Sequence, residues 1–249
     1  MQLLTYLTND VHHWYEIRHN VFPIYEIPGR SITIAEKSHN SNSGDTIRVL
    51  HLEQGNLLDV GSTLNFDYIL KSISNIKKIF INTLYPEKKN FNNKSINYLY
   101  EDICNNSLKE KYFDNISCIS TLEHIGFDNS HYNYKNKTKE KKKVDELKYL
   151  KALKEIKKLL KTRSKLFITV PYGKKKIYKN LQQFGKADLS RISRIFKNFK
   201  KSFIFYKFID KTWILSSEKE CRNIGPIVKK SDNRFVLSAK SIVLIKFYN

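Results

Sequence analysis

Apolar positions in this chain fall into short dense runs separated by polar stretches, a pattern that predicts buried strands more often than long amphipathic helices. LLDVG at 57–61 is one such run, closed by a glycine. Others follow at 77–84 (KKIFINTL), 95–103 (SINYLYEDI), 115–121 (NISCIST), 165–171 (KLFITVP), 202–209 (SFIFYKFI) and 241–248 (SIVLIKFY). Helical spacing is clearest over 145–161, where Leu147, Leu150, Leu153, Ile156 and Leu160 recur at three- and four-residue steps. Asp145 and Glu146 precede that segment and lysines end it, which suits the helix dipole. A second helix is expected at about 186–198, starting near Asp188, and another over FDYILKSISN at 66–75. Short apolar strands alternating with helices predict an α/β, Rossmann-like, seven-stranded, mostly parallel sheet with helices on both faces. The first five strands fit parallel crossovers, and the last two close the sheet as a hairpin.

Residues 1–48 are read as an N-terminal extension packing on the core, and 49–249 as the main domain. The first 20 residues are polar and aromatic with weak helical periodicity. Pro28-Gly29 marks a turn, Ile32 and Ile34 alternate as in a short strand, and SHNSNSGD is a polar loop. At 249 residues and 41% hydrophobic, the chain can bury a core of ordinary size. It has no long apolar stretch, so no membrane span is expected, and its start does not resemble a signal peptide. Cys104, Cys118 and Cys221 are scattered, which suggests neither a disulfide framework nor a zinc site but reduced thiols in a cytoplasmic protein.

The formal net charge of +21 admits nucleic acid, an anionic membrane surface or anionic substrates as partners. Much of the excess lies over 135–165, where the basic run YKNKTKEKKK leads into the predicted helix. A solvated face accounts for such a run without any ligand; a contact surface for phosphate or a nucleotide-linked sugar is a second reading and RNA binding a third. Trp213 and Tyr206, in late strands, are read as core.

The chemistry concentrates in FDNISCISTLEHIGFDN, residues 113–129, where a buried strand runs directly into Glu123-His124. Ligands of α/β sheets sit at the carboxyl ends of strands. A histidine there can take a proton from a hydroxyl near neutral pH, which makes His124 the first candidate base. Asp128 is the alternative base, and Glu123 either orients His124 or packs against the loop. His131 and Tyr172 lie in loops leaving the same sheet edge and are candidate substrate contacts. No metal is assigned, because Glu123, His124 and Asp128 have no distinctive ligand spacing.

Taken in order, LLDVG, FDNISCISTLEHIG and KLFITVPYG resemble the class I S-adenosylmethionine-dependent methyltransferases. The resemblance covers roughly residues 50–175. It implies S-adenosylmethionine as cofactor and Asp59 at its methionine amino group. Gly61 and Ser62 would form the turn against the cofactor; the family's three glycines are reduced here to one. Asn82 falls where the family places an acid for the ribose hydroxyls. Asp102 would meet the adenine amine, Ile103 would line the adenine pocket, and Ser120 would lie by the cofactor after the fourth strand. STLEHIGFDN with ITVPYGK is similar to a branch associated with bacterial sugar and surface-polysaccharide (capsule) methylation. The implied activity is O-methylation of a sugar or nucleotide-linked sugar acceptor. Two alternatives stand beside it. One is an RNA or other nucleic-acid methyltransferase, favoured by the charge, although an Asn/Asp-Pro-Pro-aromatic motif is absent. The other is a non-catalytic binding protein retaining the fold, consistent with the reduced glycine turn and Asn82.

Overall fold

The structure is a computed structural model and describes residues 24–27, 31–37, 46–65, 70, 73, 76–86, 91, 96–129, 144–178, 180–209, 212–225, 227–231 and 234–249. The readings for residues 1–20, Pro28-Gly29, the loop 38–45, His131 and the basic run 135–143 lie outside the described residues, as does most of the helix expected at 66–75.

Strands β1 (Ile24–Ile27), β2 (Ser31–Lys37) and β3 (Thr46–Glu53) form an antiparallel sheet of their own. The main sheet then begins with β4 (Asn56–Val60), β5 (Lys78–Thr83), β6 (Ile96–Tyr100) and β7 (Phe113–Ile119). Helix α1 (Lys148–Leu159) leads into β8 (Leu160–Pro171). A small hairpin of β9 (Lys176–Ile177) and β10 (Gln182–Gln183) precedes α2 (Lys186–Ile195). Then come β11 (Lys200–Ile209), β12 (Thr212–Ser216), the short α3 (Glu218–Cys221), the hairpin β13 (Ile227–Ser231) and β14 (Arg234–Ser238), and β15 (Ser241–Tyr248).

The main sheet has eight strands in the order β12-β11-β15-β8-β7-β4-β5-β6. Pairings among β4 to β8 are parallel, while β15 enters antiparallel between β8 and β11. The seven-strand expectation is therefore corrected by one. The added strand is β12, a five-residue edge strand whose Ile214 and Leu215 are exposed, so it lacks the buried alternation that marks a strand in sequence.

The two faces of the sheet are covered differently. Leu58, Val60, Ile116, Cys118, Leu166, Ile168, Val243 and Ile245 point to one face, where α1 packs Tyr149, Ala152, Leu153, Ile156 and Leu159 and α2 packs Leu189 and Ile192. Leu57, Ile79, Ile81, Ile119, Phe167 and Leu244 point to the other, against Leu52, Leu64, Ile73, Ile76 and Trp213. Among the described residues both long helices, α1 and α2, lie on the same face; most of the helix expected at 66–75 lies outside them.

The predicted helix at 145–161 is shorter at each end. Leu160 is extended (ψ 134°) and already belongs to β8, so α1 runs into a central strand without a loop. The N–H groups of Lys111 and Tyr112, entering β7, bond to the carbonyls of Lys158 and Leu159. They satisfy groups that a helix end leaves without partners. The helix predicted near Asp188 ends at Ile195. Asp188 itself caps its first turn, accepting from the Gly185 N–H at 2.9 Å.

Candidate functional site

Strand order reverses between β4 and β7: from β4 the chain moves outward through β5 and β6, then returns to β7 and β8 on the other side. A crevice at the carboxyl ends of such a pair is the usual ligand position in open α/β sheets. Register places Asp59 beside Ser117, so the residues just after Val60 and Ile119 face each other across this crevice.

Both strands end in strained backbone. Ser62 has φ 61° and Ser120 has φ 48°, a left-handed conformation that non-glycine residues seldom adopt. Each is held there by neighbours. The Ser120 N–H donates to the Thr169 carbonyl and hydroxyl at 3.1 and 3.0 Å, and its Oγ donates to Glu123 Oε1 at 2.7 Å. Around Ser62, Gly61 donates its N–H to the Asn82 carbonyl at 2.8 Å and Thr63 Oγ1 donates to the Ile119 carbonyl at 2.8 Å. Over-determined strain of this kind clusters at functional sites.

Asp59 is fully buried. Its Oδ2 accepts the Leu64 N–H at 2.7 Å and its Oδ1 accepts the Ser117 hydroxyl at 2.9 Å, so the carboxylate sets the path of the 61–65 turn. Asn82 is also buried, and its Nδ2 donates to the Glu101 carbonyl at 3.1 Å, bracing the segment after β6. Asp102 caps the 3-10 turn Ile103–Asn105 through the Cys104 N–H and pairs with Lys148 Nζ at 2.8 Å. Partial burial works to raise the Asp102 carboxyl, but the Lys148 ammonium and the Cys104 N–H outweigh it and hold it below the ordinary carboxylate value. Ile103 packs into the core on the α1 face.

Residues Leu122–His124 form a 3-10 turn, and all three are buried. Glu123 is turned inward toward Ser120. His124 Nδ1 lies 2.8 Å from the carbonyl oxygen of Asn180, between β9 and β10. A carbonyl only accepts, so the neutral ring carries its proton on Nδ1 and presents Nε2 as the basic nitrogen. Nε2 is shielded from solvent, so an acceptor reaching it must displace neighbouring chain. Asn129 Nδ2 donates to the His124 carbonyl at 3.0 Å, and Asp128 sits half-buried in the same loop. Tyr172 is fully buried, with its hydroxyl donated to Glu218 Oε1 at 2.6 Å and its ring edge-on to Phe205. Burial first, then Glu218, pushes that phenol up. Tyr172 therefore helps build the floor behind the loop rather than its surface.

The structure thus gathers Asp59, Gly61, Ser62, Ser120 and His124 around the ends of β4 and β7. It places Asn82 and Asp102 after the neighbouring strands β5 and β6. Asn180 was not legible in the sequence, because its main-chain carbonyl carries the contact and 56 residues separate it from His124. Asp188 was seen only as a helix start. It is in fact a buried acid that also accepts from the Tyr149 hydroxyl at 3.0 Å and from Arg191 at 3.0 Å.

The fit to a bound cofactor can be judged from the turn itself. Ser62 Oγ is buried with no hydrogen-bond partner among the described residues. Beside it, Gly61 holds φ 96°, with Thr121 packed where a side chain would stand. A turn with a spare buried hydroxyl suits a polar ligand.

No protein-family model matches this chain, and no curated protein matches it. Among solved structures it is similar to the N-methyltransferase NodS from Bradyrhizobium japonicum WM9 in complex with S-adenosyl-L-homocysteine, with TM-score 0.41, 12% identity and 78% of each chain covered. It is also similar to the 1,6-didemethyltoxoflavin-N1-methyltransferase of Burkholderia thailandensis with bound 1,6-didemethyltoxoflavin and S-adenosylhomocysteine (TM-score 0.45, 12% identity, 78% of this chain and 70% of that one). A third similar structure is the YcgJ protein from Bacillus subtilis (TM-score 0.44, 9% identity, 79% of this chain and 92% of that one).

Proposed function

We propose that this chain is an S-adenosylmethionine-dependent O-methyltransferase in which His124 takes the acceptor proton. The observation that carries the reading is the His124 ring, held by the Asn180 carbonyl as the Nδ1–H tautomer at the end of β7. The cofactor would supply an electrophilic methyl group on a sulfonium. Gly61 and Ser62 would receive it through their main chain and the spare Ser62 hydroxyl, on a turn that Asp59 fixes from beneath. Asn82 would face the ribose, and Asp102 with Ile103 would border the adenine. His124 Nε2 would accept the proton of the acceptor hydroxyl, with the proton on Nδ1 retained by Asn180. Beyond that the protein contributes alignment and exclusion of water. Asp128 is the second candidate for the base.

The acceptor is read as a sugar or nucleotide-linked sugar, on the resemblance of STLEHIGFDN and ITVPYGK to the branch that methylates surface polysaccharides. Cytoplasmic placement is part of the same reading. Among the described residues no helix is long and apolar enough to cross a membrane.

Calorimetric titration of the purified chain with S-adenosylmethionine and S-adenosylhomocysteine tests the proposal. Binding in the micromolar range is expected, followed by turnover in a screen that begins with nucleotide sugars. A folded protein that gives no heat with either compound would overturn the reading in favour of a non-catalytic binding protein.

A further inference from the structure

The stretches on either side of the hairpin that supplies Asn180, Gly173–Lys175 and Gly185–Asp188, border a cavity of about 540 Å³. Four parts of the chain line it: the approach to α1, the turn after β8, the start of α2 and the turn after α3. Five cations, Lys174, Lys175, Lys186, Arg191 and Arg222, converge on it against two acids, Glu146 and Asp188.

The acids do not cancel this excess. Asp188 is buried, and its oxygens are taken by the Gly185 N–H, the Tyr149 hydroxyl, Arg191 and Lys175, the last at 3.2 Å. Glu146 stands 4.0 Å from Lys175. Arg222 is paired with Glu218. Lys174 and Lys186 have no salt-bridge partner among the described residues. The first N–H groups of α2, at Lys186 and Ala187, belong to the set that a helix leaves without internal acceptors.

We propose that this cavity binds the phosphate or diphosphate of a small phosphorylated molecule, and that this molecule is the methyl acceptor. The second clause rests on the methyltransferase reading above; anion binding does not. Charge-assisted bonds from a lysine pair and an arginine suit phosphate oxygens. The volume lies within the range of small-molecule sites and exceeds what a lone phosphate fills, leaving room for the attached group. The link to the candidate base is short and hydrogen-bonded: Lys175 donates to Gln182 Oε1 at 2.5 Å, two residues beyond the Asn180 that holds His124. Four short segments meeting around one site favour a small ligand over a nucleic-acid strand, which would need an extended track.

The test is calorimetric titration of the full chain with inorganic pyrophosphate at low salt, run in parallel with S-adenosylhomocysteine. The wild-type protein is expected to bind pyrophosphate, and more weakly as salt is added. A Lys174→Ala/Lys186→Ala variant is expected to bind it at least roughly tenfold more weakly, with melting temperature and S-adenosylhomocysteine affinity unchanged. A control variant, Lys197→Ala/Lys200→Ala, removes exposed lysines elsewhere and is expected to behave as wild type. No pyrophosphate binding by folded wild-type protein, or equal loss in both variants, would overturn the proposal. Single-stranded RNA binding that depends on Lys174 and Lys186 but resists competition by pyrophosphate would overturn the small-molecule assignment. Pyrophosphate binding without S-adenosylhomocysteine binding would overturn the methyltransferase reading and leave the anion site standing.

Discussion

Replacing Gly61 with alanine tests whether the ends of β4 and β7 are packed as tightly as the geometry requires. Gly61 has φ 96° and bonds through its N–H to the Asn82 carbonyl, so the backbone cannot relax without losing that bond. A Cβ at this position would lie 2.0 Å from Thr121 Oγ1, 2.7 Å from its Cγ2 and 2.9 Å from its Cβ. Thr121 is not free to rotate away, because its Oγ1 bonds to the carbonyls of Val60 and Ile119 at 3.1 and 2.9 Å. Positive φ costs an L-residue roughly 1–2 kcal/mol, and forcing a methyl into a filled site costs roughly 1–3 kcal/mol. Gly61→Ala should therefore destabilise by about 2–5 kcal/mol. Urea unfolding reads this as a fall in midpoint at constant slope. A double-mutant cycle with Thr121→Gly separates the two parts. The clash component should vanish in that background, giving a coupling of roughly 1–3 kcal/mol, while the backbone component remains. A single variant within about 0.5 kcal/mol of wild type, or a strictly additive cycle, would refute the argument.

Three further outcomes are expected. His124→Ala should lower turnover at least roughly tenfold with S-adenosylhomocysteine affinity little changed; unchanged turnover would transfer the role to Asp128. The three cysteines are buried, and burial raises each thiol, that of Cys104 to about 12. Native protein at pH 8 should therefore resist iodoacetamide, by mass spectrometry, and label only on unfolding. Asp102 is depressed in the folded state, so its bridge to Lys148 stabilises above the ordinary carboxylate value and is lost as pH falls through the folded one. Lys148→Met should thus reduce melting temperature near neutral pH and converge with wild type in strong acid; a gap that persists below about pH 2 would mean the bridge is not the cause.

Strands buried on both sides were legible because their apolar runs are dense and bounded, as in LLDVG and KLFITVP. Edge strand β12 was not, since Leu215 is 61% exposed and nothing in TWILS alternates. The end of α1 was overrun because Leu160 continues the three- and four-residue spacing although its backbone is extended. No glycine or proline marks the change, and tertiary pairing with Phe113 decides it. At the candidate site, residue types and their order along the chain pointed to the ends of β4 and β7, which the fold sets side by side. What each side chain does there was hidden. Asp59 and Asn82 could be named from sequence, but their hydrogen bonds to Leu64, Ser117 and Glu101 depend on which strands lie side by side. Asn180 acts through its main chain, which no side-chain pattern can announce.

The loopless passage from α1 into β8 ties two periodicities to one residue count. Inserting or deleting a single residue at Leu159-Leu160 would turn α1 by about 100° about its axis. The same change, taken up in β8 instead, would swap the strand's two faces. Either choice exposes a buried row, because Leu153 and Ile156 on the helix and Leu166 and Ile168 on the strand belong to one core. Length variation among relatives should accordingly spare this junction and collect elsewhere, and a library of single-residue insertions would find it among the least permissive places in the chain.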